Sequence, residues 1–135
     1  MAFLIDTTAF ILLERRGGDL AALAARLPAD ESVTIATITA SELLVGVHRG
    51  AGAAQRTRRE AFVESILENV PTLPFDLRAA RVHARLVAQL AGEGSRIGAH
   101  DLLIAATALT HGCTVLTANI REFSRVPGLN VMPLE

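Results

Sequence analysis

The sequence predicts an α/β fold: a mainly parallel central sheet of four to five strands flanked by helices, in one domain spanning residues 1–135. Three observations predict it. Short apolar runs rich in β-branched residues alternate with longer segments whose apolar residues recur at helical spacing. The alternation continues from end to end without a repeat, a linker or a low-complexity tract. Half of the 135 residues are hydrophobic, enough for a real core and too many for a disordered chain. Strands alternating with helices are the pattern of a parallel sheet joined by helical crossovers.

Each element follows from its residues. Phe3-Leu4-Ile5 runs into Asp6-Thr7-Thr8, a strand followed by a helix N-cap. Ala9 to Glu14 reads as a short helix broken at Gly17-Gly18, and Asp19 to Leu27 as a second that stops before Pro28. Val33 to Ile38 is uncharged and β-branched, so a fully buried strand is expected. Thr39 or Ser41 caps the next helix, which carries Leu43, Leu44 and Val47 and ends near Gly50. Ala53 to Asn69 is a charged amphipathic helix with Phe62, Val63, Ile66 and Leu67 on its apolar side. Pro71 to Phe75 forms a short strand or extended connection. Asp76 caps a helix to about Ala91, in which Val82, Leu86 and Leu90 recur every four residues. A turn at Gly92 to Ser95 precedes a helix over Ala99 to His111 and a strand over Thr114 to Thr117. A loop or single turn from Asn119 to Ser124 leads to a last strand, Leu129 to Met132.

Composition narrows the function classes. All thirteen basic residues are arginine, so chemistry that needs a lysine, such as a P-loop clamp or a Schiff base, is excluded. Tryptophan and tyrosine are absent, leaving phenylalanine, histidine or arginine faces for stacking on bases. A formal charge of −1 argues against coating nucleic acid or an anionic membrane by net charge alone. Leu102 to Ile120 lacks fixed charges over roughly the 20 residues of a membrane span. Its threonines, His111, Asn119 and the dividing Gly112 instead make it a buried helix followed by a buried strand, and no membrane partner is expected. The N-terminus has no basic n-region and meets Asp6 early, unlike a signal peptide. The single Cys113 reads as a small buried hydrophobe and suits a reducing, cytoplasmic setting.

In open parallel sheets, ligands bind outside the carboxyl ends of the strands. Asp6 follows the first strand, Thr117 and Asn119 follow the fourth, Glu42 lies in the first turn of the helix after the second, and Asp101 begins the helix feeding the fourth. Singly, Asp6 is an ordinary N-cap, Glu42 a solvated glutamate favoured by a helix dipole, and Asn119 a turn residue. Asp101 resists such a reading, because Ile104, Ala105 and Ala108 at i+3, i+4 and i+7 put it at the head of a buried apolar stripe. A carboxylate there needs a cation, donors or a metal to compensate it. Jointly, three carboxylates and an amide form a hard-oxygen set suited to Mg²⁺ or Mn²⁺. Zinc does not fit, because the four histidines show no ligand spacing with Cys113.

Four blocks then resemble a known family in order and spacing: Leu4-Ile5-Asp6-Thr7-Thr8; Ser41-Glu42-Leu43-Leu44-Val45-Gly46; Ile97 to Ala106 around Asp101; and Leu116 to Phe123. They look like the PIN-domain ribonucleases, specifically the VapC toxins of type II toxin–antitoxin modules, and the likeness extends to Val126-Pro127-Gly128-Leu129. The resemblance implies Mg²⁺-dependent hydrolysis of RNA phosphodiester bonds by a metal-activated water, with Asp6, Glu42 and Asp101 as both catalytic and metal-binding acids. It also implies neutralisation by a cognate VapB-type antitoxin and a homodimer formed through helices. Many PIN domains carry a fourth acid where this chain has Asn119. Glu122 stands three residues on as a substitute carboxylate or as a solvated loop residue, and Thr7 and Thr117 as orienting hydroxyls or as ordinary cap and strand residues. His100 points about 100° around the helix from Asp101 and reads as exposed. Arg49, Arg56, Arg58 and Arg59, or Arg78, Arg81 and Arg85, are candidates for phosphate contacts or for solvated faces.

Two rival readings fit the residues less well. A haloacid-dehalogenase-like phosphohydrolase wants a second aspartate at position 8 and a lysine, where this chain has Thr8 and none. A catalytically weak or inactive PIN-like protein that only binds RNA or a partner is favoured by Asn119 alone.

Overall fold

A computed structural model describes residues 2–134. The elements are β1 (Ala2–Ile5), α1 (Thr7–Arg15), α2 (Leu20–Ala24), β2 (Ser32–Ala36), α3 (Thr37–His48), α4 (Ala53–Asn69), β3 (Thr72–Leu73), α5 (Leu77–Gly92), α6 (Ala99–His111), β4 (Cys113–Thr117), α7 (Ile120–Phe123) and β5 (Val131–Pro133). The five strands form one sheet in the order β3-β2-β1-β4-β5, with every pairing parallel.

Side chains of a strand alternate between faces, and β1 shows how this builds two layers. Phe3 and Ile5 enter the core beneath α1 to α4, with Phe10, Leu43, Val63 and Ile66. Leu4, between them, enters the opposite core with Leu86 of α5, Ile104 and Ala105 of α6, and Phe123 of α7. β4 does the same, with Leu116 facing one layer and Val115 the other. Phe10 and Phe123 are completely buried, each stabilising its layer by ~1.5–3 kcal/mol through removal of apolar surface from water.

Several boundaries differ from those read from sequence. β2 stops at Ala36 and α3 starts at Thr37, so Ile38 belongs to the helix, and neither Thr39 nor Ser41 is its cap. The physical reason lies in the neighbour: β3 offers only Thr72 and Leu73 for pairing with Ile35 and Ala36, and the Thr37 hydroxyl then donates to the Leu73 carbonyl. Glu42 consequently sits in the second turn of α3 rather than the first. α2 keeps only Leu20–Ala24, capped by the Asp19 carboxylate on the Ala22 amide. The last strand is Val131–Pro133, and Pro133 is tolerated because β5 is an edge strand that needs no further donor there. α1 starts at Thr7, two residues before the expected Ala9, so Thr7 and Thr8 belong to the helix; the remaining long helices match, down to the Asp76 side chain accepting from the Ala79 amide.

With all strands parallel, the carboxyl ends of β1, β2 and β4 open on one edge, and α6 returns its N-terminus there. Among the described residues, no helix is long and apolar enough to cross a membrane.

Candidate active site

Asp6 is the first residue beyond β1, its amide donating to the Leu116 carbonyl of β4 at 2.9 Å. It occupies the N-cap position of α1, yet its side chain makes no capping hydrogen bond, against its ordinary reading. One carboxylate oxygen, Oδ2, accepts from the Thr8 hydroxyl at 2.5 Å and the Thr117 hydroxyl at 2.8 Å. Only 1% of Asp6 is exposed, and burial raises its pKa against the pull of those hydroxyls and the Thr7 backbone amide.

Glu42 reaches the same edge from α3. Its Oε1 accepts from the buried Thr7 hydroxyl at 2.7 Å, and its Oε2 lies 3.2 Å from His100 Nδ1. His100 is exposed, as expected from its angle to Asp101, but it touches the acid of a different helix. Helical geometry within α6 contained no hint of that contact.

Asp101 is the third residue of α6, half-buried above Ile104, Ala105 and Ala108, which are fully buried. Its pKa is pushed up from 3.8 to about 7, first by burial, then by the negative charges of Asp6 and Glu122, with Glu42 further off. Those causes are themselves geometric: carboxylates from four separate elements face one another across a small space.

Glu122 is fixed in position, not a loosely solvated residue. Its Oε1 accepts from the Gly98 amide at the start of α6, at 2.6 Å, and its Oε2 from the Asn119 side-chain amide at 3.0 Å. The Gly98 amide foremost, with the Asn119 amide in support, holds its pKa below the usual carboxylate range. Asn119 is the N-cap residue of α7, and its backbone amide donates to the Thr117 hydroxyl at 2.8 Å. Sequence reading missed Thr8, whose hydroxyl also receives the Ala118 amide, and Gly98. The first had a signal, a hydroxyl two residues after a strand-end aspartate; the second had none, because its partner lies 24 residues away.

The arginine clusters divide. Arg59 of α4 turns from its own helix's glutamates to Glu14 of α1, at 3.4 Å, and donates to the Gly46 carbonyl at 3.1 Å. Arg78 donates to the Thr110 carbonyl at the far end of α6. Cys113 is buried and free.

The family model for the PIN domain matches residues 3–129 of this chain. Ribonuclease VapC1 of Rickettsia felis is 36% identical over 132 residues, covering 98% of this chain and 96% of that protein. A VapC of Salmonella typhimurium described as a tRNA(fMet)-specific endonuclease is 34% identical over 97 residues, 72% of this chain and 71% of the relative. A crystal structure of DNA-bound VapBC from Salmonella typhimurium superposes with a TM-score of 0.86 at 28% identity, covering 100% of this chain and 99% of that one. Matches of this extent to the domain model and to curated ribonucleases have one reading: the chain belongs to the PIN-domain family and, within it, to the VapC ribonucleases.

Proposed function

We propose that this chain is the toxin of a VapBC-type pair, an endoribonuclease that hydrolyses RNA phosphodiester bonds with Mg²⁺, or Mn²⁺ in its place, and is neutralised by a cognate VapB-type antitoxin. One observation carries the reading. Asp6, Glu42, Asp101 and Glu122 bring four carboxylates to one sheet edge, where burial first, and the neighbouring negative charges second, raise Asp101 to about 7. The fixed cation near them, Arg125, acts on Glu122 alone, so the remaining like charge is arranged to receive a further cation.

The donor set suits a hard divalent ion. All four acids present oxygen, and the hydrogen bonds that orient them come from hydroxyls, amides, another carboxyl and the His100 ring, with the charge of Arg125 acting on Glu122. Among the described residues, no three His, Cys, Asp or Glu side chains stand close enough together to hold a metal ion between them as they are placed. Mg²⁺ does not require a closed cage, since it binds through one or two carboxylates and keeps several waters. We assign Asp6, Glu42 and Asp101 as the catalytic acids that hold the ion. Glu122 takes the place of the fourth acid, which Asn119 no longer supplies but helps to hold. When bound, the ion supplies Lewis acidity that lowers the pKa of a water and offsets charge on the phosphate.

The residues of the chain do the remaining work. Thr8 and Thr117 fix the Asp6 carboxylate, and Thr7 and His100 fix that of Glu42. Asp101 and Glu122 share a hydrogen bond, so Asp101 keeps a proton near neutrality until a cation displaces it. The inactive alternative loses its support, because Asn119 reinforces a carboxylate instead of leaving a gap. The setting we propose is cytoplasmic, as a homodimer; exposed Val45, Phe75 and Leu77 offer apolar surface for a second copy.

The test is cleavage of an RNA pool with Mg²⁺ and with EDTA, by the chain and by its Asp6→Ala and Asp101→Ala variants. Cleavage is expected only from the unmodified chain with metal. Cleavage that persists in EDTA, or in both variants, overturns the mechanism.

A further inference from the structure

A groove runs between α1 and α4, away from the carboxylates. Its inner part, about 270 Å³, begins at Thr7 and Glu42. Its outer part, about 410 Å³, ends at Gly17, Gln55 and Arg58. Glu14, Arg15, Arg59 and Phe62 line both parts, so the two are one continuous passage. From Thr7 to Arg15 the floor follows eight steps of helix, ~12 Å at 1.5 Å per residue.

Three arginines, Arg15, Arg58 and Arg59, line this passage against two carboxylates, Glu14 and, at its inner end, Glu42. Glu14 is paired with Arg59, whose guanidinium spends one N–H on Glu14 and one on the Gly46 carbonyl and keeps three of its five. The Arg15 and Arg58 side chains are exposed and make no ion pair or hydrogen bond among the described residues. The aromatic inventory points the same way. Of five phenylalanines, Phe3, Phe10 and Phe123 are buried, and Phe75 stands edge-on to His83. Phe62 is left, half-buried, with a face on the groove. The other arginine row differs: Arg78, Arg81 and Arg85 line a cavity beside Thr110, nine residues or ~13 Å along α6 from Asp101.

We propose that the α1–α4 groove is the track for single-stranded RNA leaving the cleavage site, with phosphates on Arg15, Arg58 and Arg59 and a base against Phe62. This rests on the ribonuclease reading above and adds the path of the substrate. Basic grooves with an aromatic platform hold single strands in this way, largely without regard to sequence. At ~3.4 Å of rise per stacked nucleotide, 12 Å accommodates three or four nucleotides.

The experiment measures binding of a fluorescent single-stranded RNA decamer by anisotropy over a salt series. The full chain carries Asp101→Asn, so that the RNA stays intact. Adding Arg15→Gln and Arg58→Gln is expected to flatten the slope of log K against log salt by ~1.4, two contacts at ~0.7 each. Adding Phe62→Leu instead is expected to weaken binding at least ~5-fold with the slope unchanged. Arg81→Gln with Arg85→Gln is expected to change neither. An unaltered slope in the Arg15/Arg58 variant overturns the track, as does binding lost equally in the Arg81/Arg85 variant. If the Arg15/Arg58 variant binds RNA as before but loses antitoxin, the groove is a protein surface and the proposal fails. Cleavage by the unmodified chain, read separately, decides the ribonuclease function whatever the groove does.

Discussion

Asp101→Asn is expected to make the metal-free protein more stable while abolishing its activity. In the folded chain the Asp101 carboxyl has its pKa near 7, against 3.8 for an unstrained aspartate. Between those values the folded state holds a proton that the unfolded state has lost. Stability therefore falls as pH rises from about 4 to about 7, the sign for an acid whose pKa is raised by folding. At ~1.36 kcal/mol per pH unit, the gap sets a ceiling of ~4 kcal/mol by pH 8. Asp101 is only half-buried, and solvent screening reduces this to ~1–2 kcal/mol. An asparagine amide carries no charge and can donate to Glu122 as the protonated acid does, so the variant escapes the loss.

The assay is urea unfolding of both proteins in EDTA at pH 5 and pH 8. The variant's advantage should grow by ~1 kcal/mol or more between the two pH values, because only the parent titrates there. Mg²⁺ should then stabilise the parent and not the variant, since a ligand bound only to the folded state adds to its stability. A difference between the proteins that is the same at both pH values would refute the argument. It would mean that neither burial nor the neighbouring acids hold a proton on Asp101 in the folded chain.

Three other outcomes follow from the same contacts. Calorimetric titration with Mg²⁺ or Mn²⁺ should show close to one proton released per ion at pH 6 and far less at pH 8.5, because the ion must displace the Asp101 proton; equal release at both pH values contradicts this. Thr117→Val keeps the shape but removes a fully buried hydroxyl that donates to Asp6 and receives the Asn119 amide, so urea unfolding should register a loss of ~1–3 kcal/mol; a change below ~0.5 kcal/mol would mean that a water replaces it. His100→Ala should weaken Mn²⁺ binding ~10-fold, as loss of a group orienting a metal ligand does, with His100→Asn restoring part of it; unchanged affinity in the alanine variant shows that the Glu42 contact is incidental.

What was legible in the sequence depended on how local its cause was. The α6 boundaries could be read because Gly98 and Gly112 bracket an uninterrupted apolar stripe, and Asp101 stood out because its neighbours at i+3 and i+4 are buried. Asp6 could be placed at a strand end by the charge that terminates Phe3-Leu4-Ile5. The start of α3 could not, because it is decided by how far β3 pairs with β2, and β3 is two residues long. The same rule separates the acids. Glu122 looked like a loop residue because nothing within its own turn demands a carboxylate. Its place comes from the Gly98 amide, brought up by a helix that starts 24 positions earlier, and from Asn119, whose own departure from the usual acid was the most conspicuous irregularity in the motif. The irregularity and the unremarkable glutamate are one arrangement: an amide at 119 can donate to a carboxylate at 122, whereas an ionised acid at 119 would repel it. Asn119→Asp therefore should not restore a fourth ligand. It should displace Glu122 from its contact and raise the pKa of Asp101 further, visible as a shift of metal binding to higher pH. A variant that binds metal more tightly with no such shift would show that positions 119 and 122 act independently.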